Sequence, residues 1–382
     1  MKIVSVEPLH CDAGWAVWTF VKLRLDDGTV GYGECSDWRL PRAIAGAVRD
    51  LAHLLIGKDP RAIEALSADM ARVTQQNIGG VAQQAIAGIE VALWDLKGKL
   101  LGVPVYELLG GPTRDRMRVY WSHCGSSRAR HPEHLDTSPI ESWDDVAELG
   151  REVVARGYSA LKTNIFAPGR GPEYLTIPDA NLERATRDAA VTLIATFREA
   201  VGDDVDICLD LNFRFRPQGC IELARALEPF GLFWLELDTY DADALAYIRR
   251  SVHTPICSAE CLNTVRDYLR FFERGALDVA MVDVAWNGLA QSKRIADLAA
   301  GFEINVAPHN YYSHLSTFMC AHLCAVIDNL RILETDVDAV PWRDEIVTAL
   351  PDIRAGFLHL PTAPGLGTDL NEAAIAEHPW PG

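Results

Sequence analysis

Hydrophobic and polar residues alternate at the start of the chain, a pattern that is typical of half-buried β-strands. The stretch KIVSVEPLHC is followed by AVWTFVKLRLDDGTVGYGECS, in which Asp27-Gly28 is a typical turn between the two strands of a hairpin. Apolar residues then recur at helical spacing over residues 41–56, 60–74 and 81–101. Strands followed by helices predict an α+β domain, which we place at residues 1–115.

From residue 116 the pattern changes to short, continuous apolar runs that each end in a polar residue. Such runs are typical of strands buried on both faces of a parallel sheet. Six of these terminal residues are separated by 26, 24, 23, 26 and 25 residues in turn: Asp210, Glu236, Glu260, Asp283, His309 and Glu334. A period of about 25 residues fits one strand and one helix, so the spacing predicts a (β/α)₈-type barrel over residues 116–360.

One unit of this pattern is longer than the others. Lys162 and Asn164 end the run SALKTN, and the next strand end, Asp210, follows Lys162 by 48 residues. This unit therefore carries extra sequence, which includes FAPGRGPEYLTIPD. The tail at residues 361–382 is rich in proline and glycine, and we expect it to return to the first domain.

The amino-acid composition indicates which binding partners and which cellular compartment to expect. The chain of 382 residues is 49% hydrophobic, which is enough for a large core, and its formal net charge of −17 argues against nucleic acid as a partner. No apolar segment is long enough to predict a signal peptide or a membrane helix, so we expect a cytoplasmic protein without a membrane partner. Nine scattered cysteines without CxxC pairs fit buried thiols in a reducing compartment better than a zinc site.

Three acidic strand ends predict a metal site. Because the strand ends of a barrel meet at one mouth, Asp210, Glu236 and Glu260 are expected to converge. Converging carboxylates repel one another unless a cation neutralises them, and hard oxygen ligands favour Mg²⁺. The alternative is that each acid is an ordinary strand end, paired with arginine or exposed. Their placement on three consecutive units favours the metal site.

The next two strands end in Asp283 and His309, whose side chains are expected to meet. A histidine hydrogen-bonded to an aspartate is oriented and made more basic, so it can serve as a general base or acid. Glu334 ends the last strand. It is interpreted either as a protonated group that binds a substrate carboxylate or as a strand-end ion pair.

The stretches DDGTVGYGE and IEVALWDLKGKLLGVPVYELLGG, together with the ordered strand ends, resemble the mandelate racemase-like group of the enolase superfamily over almost the whole chain. The resemblance implies a modified TIM barrel, (β/α)₇β, with an N-terminal α+β capping domain. It implies Mg²⁺ as cofactor, held by Asp210, Glu236 and Glu260, and catalysis by His309 with Asp283. The shared first step is removal of the proton α to a carboxylate, and Lys162 would contact that carboxylate.

The chain departs from the family pattern at two places. The usual Glu-Glu-Pro segment reads Glu236-Leu237-Asp238, which keeps only the ligand position. The family's Lys-x-Lys motif reads Lys162-Thr163-Asn164, and the missing second lysine normally supplies a base on the face opposite the histidine. Asparagine cannot accept a proton at neutral pH.

One base fits dehydration better than racemisation, since a dehydratase abstracts one proton and then expels a hydroxyl. We therefore predict a carbon–oxygen lyase that converts a small sugar acid, an aldonate or aldarate, into a 2-keto-3-deoxy acid. The alternatives are a cycloisomerase or epimerase of the same superfamily, or a non-catalytic sugar-acid binding protein. A homo-oligomer is also expected.

Substrate choice is assigned to loops of the capping domain and to loops after barrel strands. The candidates in the capping domain are Trp15, Trp18, Trp38 and Arg39. Arg170 and Tyr174 are candidates in the extra sequence, and an arginine here would grip the second carboxylate of an aldarate. Asn164, Asn212 and Asn310 are predicted to bind the substrate. The alternative for the loop residues is an ordinary solvated or packing role.

Overall fold

An antiparallel sheet begins the chain in the computed structural model, which describes residues 1–170 and 179–382. The strands pair in the order β1-β2-β3: β1 (Ile3–Asp12), β2 (Val17–Leu25) and β3 (Val30–Glu34). Gly28 has a φ of +91° in the turn before β3, a conformation that glycine adopts without steric cost. The helices that follow are α1 (Pro41–Leu51), α2 (Ile63–Val73), α3 (Gly80–Leu101) and α4 (Val105–Leu108). The hairpin and the three longer helices confirm the sequence prediction.

Two glycines let β3 lie directly against α3. A Cβ atom on Gly31 would lie 2.6 Å from the carbonyl oxygen of Ala92, and one on Gly33 would lie 2.2 Å from that of Gly88. Any side chain at either position would therefore push the strand away from the helix. This close approach explains the glycine spacing in DDGTVGYGE, and it fixes the position of Glu34 at the end of β3.

Eight parallel strands within the described residues form the barrel of the modified TIM fold. They are β4 (Arg116–Ser122), β5 (Ala160–Asn164), β6 (Asp206–Asp210), β7 (Trp234–Glu236), β8 (Ile256–Ser258), β9 (Val279–Asp283), β10 (Asn305–His309) and β11 (Leu333–Asp336). Neighbours pair in sequence order from β4 to β10, and β11 pairs with β4. A bridge between Val306 and Leu330, just before β11, completes the circuit.

Helices follow the barrel strands, and most of them cover the outside of this sheet. They are α5 (Ser126–Arg130), α6 (Trp143–Ala155), α7 (Arg184–Val201), α8 (Pro217–Leu227), α9 (Ala242–Ser251), α10 (Thr264–Glu273), α11 (Val284–Asn287), α12 (Leu289–Gly301) and α13 (His314–Val326). A short hairpin of β12 (Ile353–Arg354) and β13 (Phe357–His359) pairs antiparallel to β4, and α14 (Glu372–Glu377) lies near the end of the chain.

The barrel interior is filled by one side chain from nearly every strand. This inner layer consists of Tyr120, Ala160, Cys208, Trp234, Cys257, Val279, Met281, Ala307 and Ile332. Because side chains alternate along a strand, the residue two positions further on faces the same interior, one layer nearer the mouth. That layer contains Lys162, Asp210, Glu236, Asp283 and His309. Strand alternation thus directs the predicted site residues into the barrel.

The capping sheet is attached to the barrel by Glu34, which is fully buried. Its carboxylate accepts hydrogen bonds from Ser36, from the Ser313 hydroxyl and, at 3.0 Å, from the Ser316 backbone N–H. Ser313 and Ser316 lie at the N-terminal end of α13, directly after the strand that carries His309. The contact holds the capping sheet at the mouth of the barrel.

The C-terminal tail packs against the capping region. Lys22 forms an ion pair with Glu372 at 2.6 Å, and the Leu366 backbone N–H donates to Asp95 at 2.8 Å. No helix among the described residues combines the length and apolar character needed to cross a membrane. The nine cysteines all lie in the described ranges, and each is free and buried.

Candidate active site

A cavity of about 840 Å³ lies between the barrel mouth and the capping region. Its wall includes Lys162, Asn164, Asp210, Glu260 and His309. The structure therefore brings residues from four predicted strand ends to one place. Glu236, Asp283 and Glu334 lie behind this wall, where each contacts a residue of the cavity.

The three predicted metal ligands have different surroundings. Asp210 accepts hydrogen bonds from the Asn164 amide at 2.9 Å and from the Asn212 backbone at 2.7 Å. Glu236 is fully buried, and its oxygens lie 3.0 and 3.2 Å from the ammonium nitrogen of Lys162. Glu260 lies 3.5 Å from Nε2 of His309.

Glu260 faces the cavity because the backbone before it is unusual. Cys257 points into the barrel, so regular alternation would turn Glu260 outward. Ala259 has a φ of +94°, a conformation that L-residues seldom adopt, and this residue reverses the alternation. Strained backbone of this kind is common at functional sites.

The chemistry of these acids fits a divalent cation. Burial raises the pKa of Glu236 well above its ordinary value, and the nearby charges of Asp210 and Glu260 raise it further, against the effect of Lys162. Burial and Asp210 likewise raise the pKa of Glu260. Hard oxygen donors with excess negative charge suit Mg²⁺. Among the described residues, no group of three His, Cys, Asp or Glu side chains lies close enough together to hold a metal ion as it stands. One reason is that Glu236 is paired with Lys162.

His309 and Asp283 form the predicted dyad. Nδ1 of His309 lies 2.7 Å from Oδ2 of Asp283, which also accepts from the Tyr312 hydroxyl at 2.6 Å. The Trp286 backbone N–H donates to the other oxygen at 2.9 Å. Asp283 is therefore fixed, and it orients the imidazole so that Nε2 faces the cavity.

Burial lowers the pKa of His309, but the carboxylates of Glu260, Glu334 and Asp283 outweigh burial and raise it to about 10. The surrounding negative charge thus favours the protonated imidazole. It becomes a base only when the negative charge around it is offset.

Lys162 lies between two carboxylates, 3.0 Å from Glu236 and 2.8 Å from Glu334. Burial alone would lower the pKa of Lys162, but these two charges raise it well above its ordinary value. Burial raises the pKa of Glu334, whereas Lys162 and His309 together hold it well below its ordinary value. Glu334 therefore forms an ion pair with Lys162 in this arrangement, which is one of its two predicted roles. Its contact with a substrate carboxylate stays a prediction.

Asn164 is held in a hydrogen-bond network. Its amide nitrogen donates to Asp210, and its amide oxygen accepts from the Ser126 hydroxyl at 3.2 Å. Asn212 also lines the cavity, and its amide nitrogen donates to Asp210 at 2.8 Å. Both amides are therefore in place to position Asp210 and a bound molecule, and neither is a base.

Two predicted substrate-binding residues do not reach the main cavity. Asn310 follows His309, so alternation turns its side chain outward, where it donates to Thr317 and to the Glu334 backbone at 3.0 Å. Trp18 lies in β2, the central strand of the capping sheet, and it is only 6% exposed within the core. Both predictions of a substrate contact are wrong for this arrangement.

The other capping residues do reach the cavity, since Trp15, Trp38 and Arg39 line it. The indole N–H of Trp15 donates to the Tyr311 hydroxyl, and its ring stacks on His131 at a centroid distance of 4.8 Å. The Arg39 guanidinium lies over the ring of Trp38 at 4.5 Å. Tyr174 lies outside the described residues.

Sequence reasoning missed Arg214, Asp238 and Tyr311, which lie in the cavity wall. His123 and Arg130, in the segment after β4, also line the cavity. Asp238 and Tyr311 each follow a predicted residue by two positions, so strand alternation carried the signal for them. Oδ2 of Asp238 is buried without a hydrogen-bond partner among the described residues. Arg214 lies in the loop after β6, where no periodicity marks it.

Comparison with known proteins agrees with this geometry. Residues 10–110 match the family described as mandelate racemase / muconate lactonizing enzyme, N-terminal domain. Residues 145–374, more than half of the chain, match the family described as enolase C-terminal domain-like. The chain belongs to the enolase superfamily, in its mandelate racemase-like group. The expected fold and family are thereby confirmed.

Curated members of this superfamily resemble the chain over most of its length. A D-gluconate dehydratase of Thermoproteus tenax is 31% identical over 98% of this chain and 74% of that protein. A D-galactonate dehydratase of Ralstonia nicotianae is 33% identical over 94% of this chain and 90% of that protein. The curated relatives are thus hydro-lyases that act on sugar acids.

Solved structures share the fold closely. A Burkholderia xenovorans protein provisionally named L-alanine-DL-glutamate epimerase, bound to magnesium and fumarate, has a TM-score of 0.96 and is 41% identical, with 99% of this chain and 96% of that chain covered. A Mesorhizobium loti protein provisionally named a dehydratase has a TM-score of 0.89 and is 28% identical, with 100% and 99% covered.

Proposed function

We propose that this enzyme is a Mg²⁺-dependent dehydratase of a sugar acid, either an aldonate or an aldarate. The observation that carries the proposal is the His309–Asp283 pair facing the cavity, with Asn164 in place of a second base. The names of the curated relatives, which are dehydratases of D-gluconate and D-galactonate, support the same reaction class.

Asp210, Glu236 and Glu260 are proposed to hold Mg²⁺. The chemistry that Mg²⁺ supplies when bound is Lewis acidity toward the substrate carboxylate. Glu236 accepts a hydrogen bond from Lys162 at 3.0 Å, and its carboxylate has further lone pairs with which it would hold the ion. The magnesium in the Burkholderia relative supports this assignment.

The protein's own groups would then move the protons. Nε2 of neutral His309 removes the proton α to the carboxylate, while Asp283 holds Nδ1 and stabilises the imidazolium that forms. The Lys162 ammonium stabilises the negative charge that gathers on the carboxylate, and Glu334 holds Lys162 in place. His309 then returns the proton to the β-hydroxyl, which leaves as water. The enol that remains tautomerises to a 2-keto-3-deoxy acid.

The two alternatives, an epimerase and a non-catalytic binding protein, fit the described site less well than a dehydratase does. An epimerase that works in both directions needs a base on each face of the substrate, and the Asn164 amide cannot be one. A non-catalytic binding protein would have no use for a buried imidazole oriented by a carboxylate at 2.7 Å. The name of the Burkholderia relative nevertheless makes epimerisation the rival to test.

A screen of aldonates and aldarates with Mg²⁺ tests the proposal. Formation of a 2-keto-3-deoxy acid, detected as an α-keto acid and identified by mass spectrometry, is the expected result. Inversion at the α-carbon without loss of water would identify an epimerase. Binding without any turnover across the screen would identify a binding protein. The homo-oligomer, the cytoplasmic location and the boundaries of the domains remain predictions.

A further inference from the structure

Two arginines line the cavity wall without a carboxylate partner among the described residues. Arg130 is the last residue of α5, and Arg214 lies in the loop after β6. Both line the cavity that contains Lys162 and His309. Within the described residues, neither arginine forms an ion pair. Nη2 of Arg130 donates to the backbone oxygen of Ile165 at 2.8 Å, and Nη1 of Arg214 is buried without a hydrogen-bond partner.

The neighbouring Arg128 shows what is usual for a buried arginine in this protein. Its guanidinium lies 2.9 Å from Asp338 and 2.8 Å from Glu152, so both sides are neutralised. Arg130, two residues further along the same helix, has no such partner in the described ranges. Arg130 and Arg214 are half-buried, and removing a cation even partly from water without a partner is costly. An anion in the cavity would offset this cost.

The two guanidinium groups line the same cavity, and the charge of one affects the other. Burial lowers the pKa of Arg130 to about 10, and the positive charge of Arg214 adds to this effect. Asp210 attracts both groups, but no oxygen of Asp210 lies within 4.0 Å of either, and its oxygens accept from Asn164 and Asn212. A cavity lined by two positive charges suits one ligand that carries negative charge over several oxygens.

We propose that Arg130 and Arg214 bind a second anionic group of the substrate, remote from the carboxylate that loses its α-proton. The enzyme would then act on a dianionic sugar acid, either an aldarate or a phosphorylated aldonate. This inference rests on the proposed function, because Lys162 and His309 define the reacting end of the same cavity. The volume of about 840 Å³ is ample for a six-carbon chain with a charged group at each end.

Calorimetric titration with Mg²⁺ present tests the pair of arginines through binding alone. The ligands are matched pairs of the same configuration, D-glucarate with D-gluconate and galactarate with D-galactonate, together with 6-phospho-D-gluconate. We expect at least one dianion to bind more than about tenfold more tightly than its matched aldonate. Tighter aldarates would identify a carboxylate at the second site, and tighter 6-phosphogluconate would identify a phosphate.

The variants Arg214→Gln and Arg130→Gln should remove this preference and leave the affinity for the aldonate within about twofold. Arg130→Lys serves as a milder second variant. The matched control is Arg216→Gln, since Arg216 is exposed, lies two residues beyond Arg214 and caps α8 outside the cavity. It should bind every ligand as the wild type does.

The inference would be overturned if the wild type bound dianion and aldonate with equal affinity. It would also be overturned if Arg214→Gln lowered the affinity for dianion and aldonate by the same factor. Turnover is measured separately, so the two proposals can fail independently. If aldonates are dehydrated without a dianion preference, only the arginine site is refuted. If the preference is present and arginine-dependent while no sugar acid is dehydrated, only the proposed reaction is refuted.

Discussion

At the scale of single residues, the reaction class depends on His309 and Asn164. We expect His309→Asn to lower the rate of dehydration by ~10²–10⁴-fold. The variant should also abolish exchange of the substrate α-proton with deuterated solvent. The physical reason is that Asn164 cannot replace the lost base and Lys162 is held as an ammonium group by Glu236 and Glu334. Steady-state kinetics and proton NMR measure the two effects.

Asn164→Ala is the comparison variant for this prediction. It removes hydrogen bonds to Asp210 and Ser126 but no proton-transfer group, so its loss of activity should be clearly smaller. The assignment would be reversed if His309→Asn still exchanged the α-proton while Lys162→Ala did not. In that case Lys162 abstracts the proton, and His309 only protonates the departing hydroxyl.

A second residue-scale prediction concerns the metal. Asp210→Asn should weaken Mg²⁺ binding by at least about tenfold, because it removes one negative charge from the three acids. Calorimetric titration of Mg²⁺ without substrate measures this directly. Asp206→Asn is the control, since Asp206 begins the same strand, pairs with Arg118 at 2.8 Å and lies at the opposite end of the barrel. Unchanged affinity in Asp210→Asn would exclude Asp210 as a ligand.

At the scale of secondary-structure elements, the spacing of polar strand ends was a reliable guide. The period near 25 residues located the strands, and alternation along each strand placed Lys162, Asp210 and His309 on the inner face. Both patterns depend only on the regular geometry of strands and helices, which sequence periodicity records.

The errors arose where local geometry or partners broke that regularity. Asn310 was assigned to the cavity although it follows an inward-facing residue, and its side chain turns outward to Thr317. For Glu334 the sequence left a protonated group and an ion pair as alternatives, because its charge state depends on Lys162, whose approach no spacing predicts. The positive φ of Ala259, which directs Glu260 inward, has no signal in an alanine.

The contact between the capping loop and the barrel loops gives an element-scale prediction. Trp15→Phe keeps an aromatic ring to stack on His131 but loses the hydrogen bond to Tyr311. We expect KM for the substrate to rise about two- to tenfold with little change in kcat, because the lost bond of ~0.5–1.5 kcal/mol holds the wall of the cavity rather than a reacting group. Steady-state kinetics measure both parameters.

Trp380→Phe is the matched control, because Trp380 lies outside the cavity wall, where its ring contacts His10 and Arg42. It should leave KM unchanged. A fall in kcat of Trp15→Phe at constant KM would contradict the assigned role and would place Trp15 among the groups that act in the chemical step.

At the scale of the whole molecule, His322 joins three parts of the chain. It lies in α13 on the outside of the barrel, and it is fully buried. Its Nδ1 accepts from the Tyr106 backbone N–H of α4 at 3.1 Å, and its Nε2 donates to the backbone oxygen of Leu366 in the tail at 3.0 Å. The neutral imidazole is required, because protonation at Nδ1 would remove the acceptor that Tyr106 uses.

This arrangement predicts acid sensitivity of the junction between barrel, capping region and tail. Burial lowers the pKa of His322 to about 4 in the folded protein, against about 6.5 for an unfolded histidine. Between pH 6.5 and 4, His322 is therefore protonated in the unfolded chain but stays neutral in the folded protein. The free energy of unfolding consequently falls as the pH drops from about 6.5 to about 4. The linkage is about 1.4 kcal/mol per pH unit for one proton, or about 3 kcal/mol across the window.

Urea unfolding at a series of pH values tests this contribution. His322→Gln should lower the free energy of unfolding at pH 7.5, because it loses the hydrogen bond from Tyr106. Between pH 6.5 and 4, the free energy of unfolding of this variant should depend less steeply on pH, by the equivalent of about one proton. Part of the fall should persist, because burial also lowers the pKa of His314 to about 4. His53→Gln, at an exposed histidine, should keep the full slope. An unchanged slope in His322→Gln would mean that the imidazole is protonated in the folded protein, and the junction would then owe its acid sensitivity to other groups.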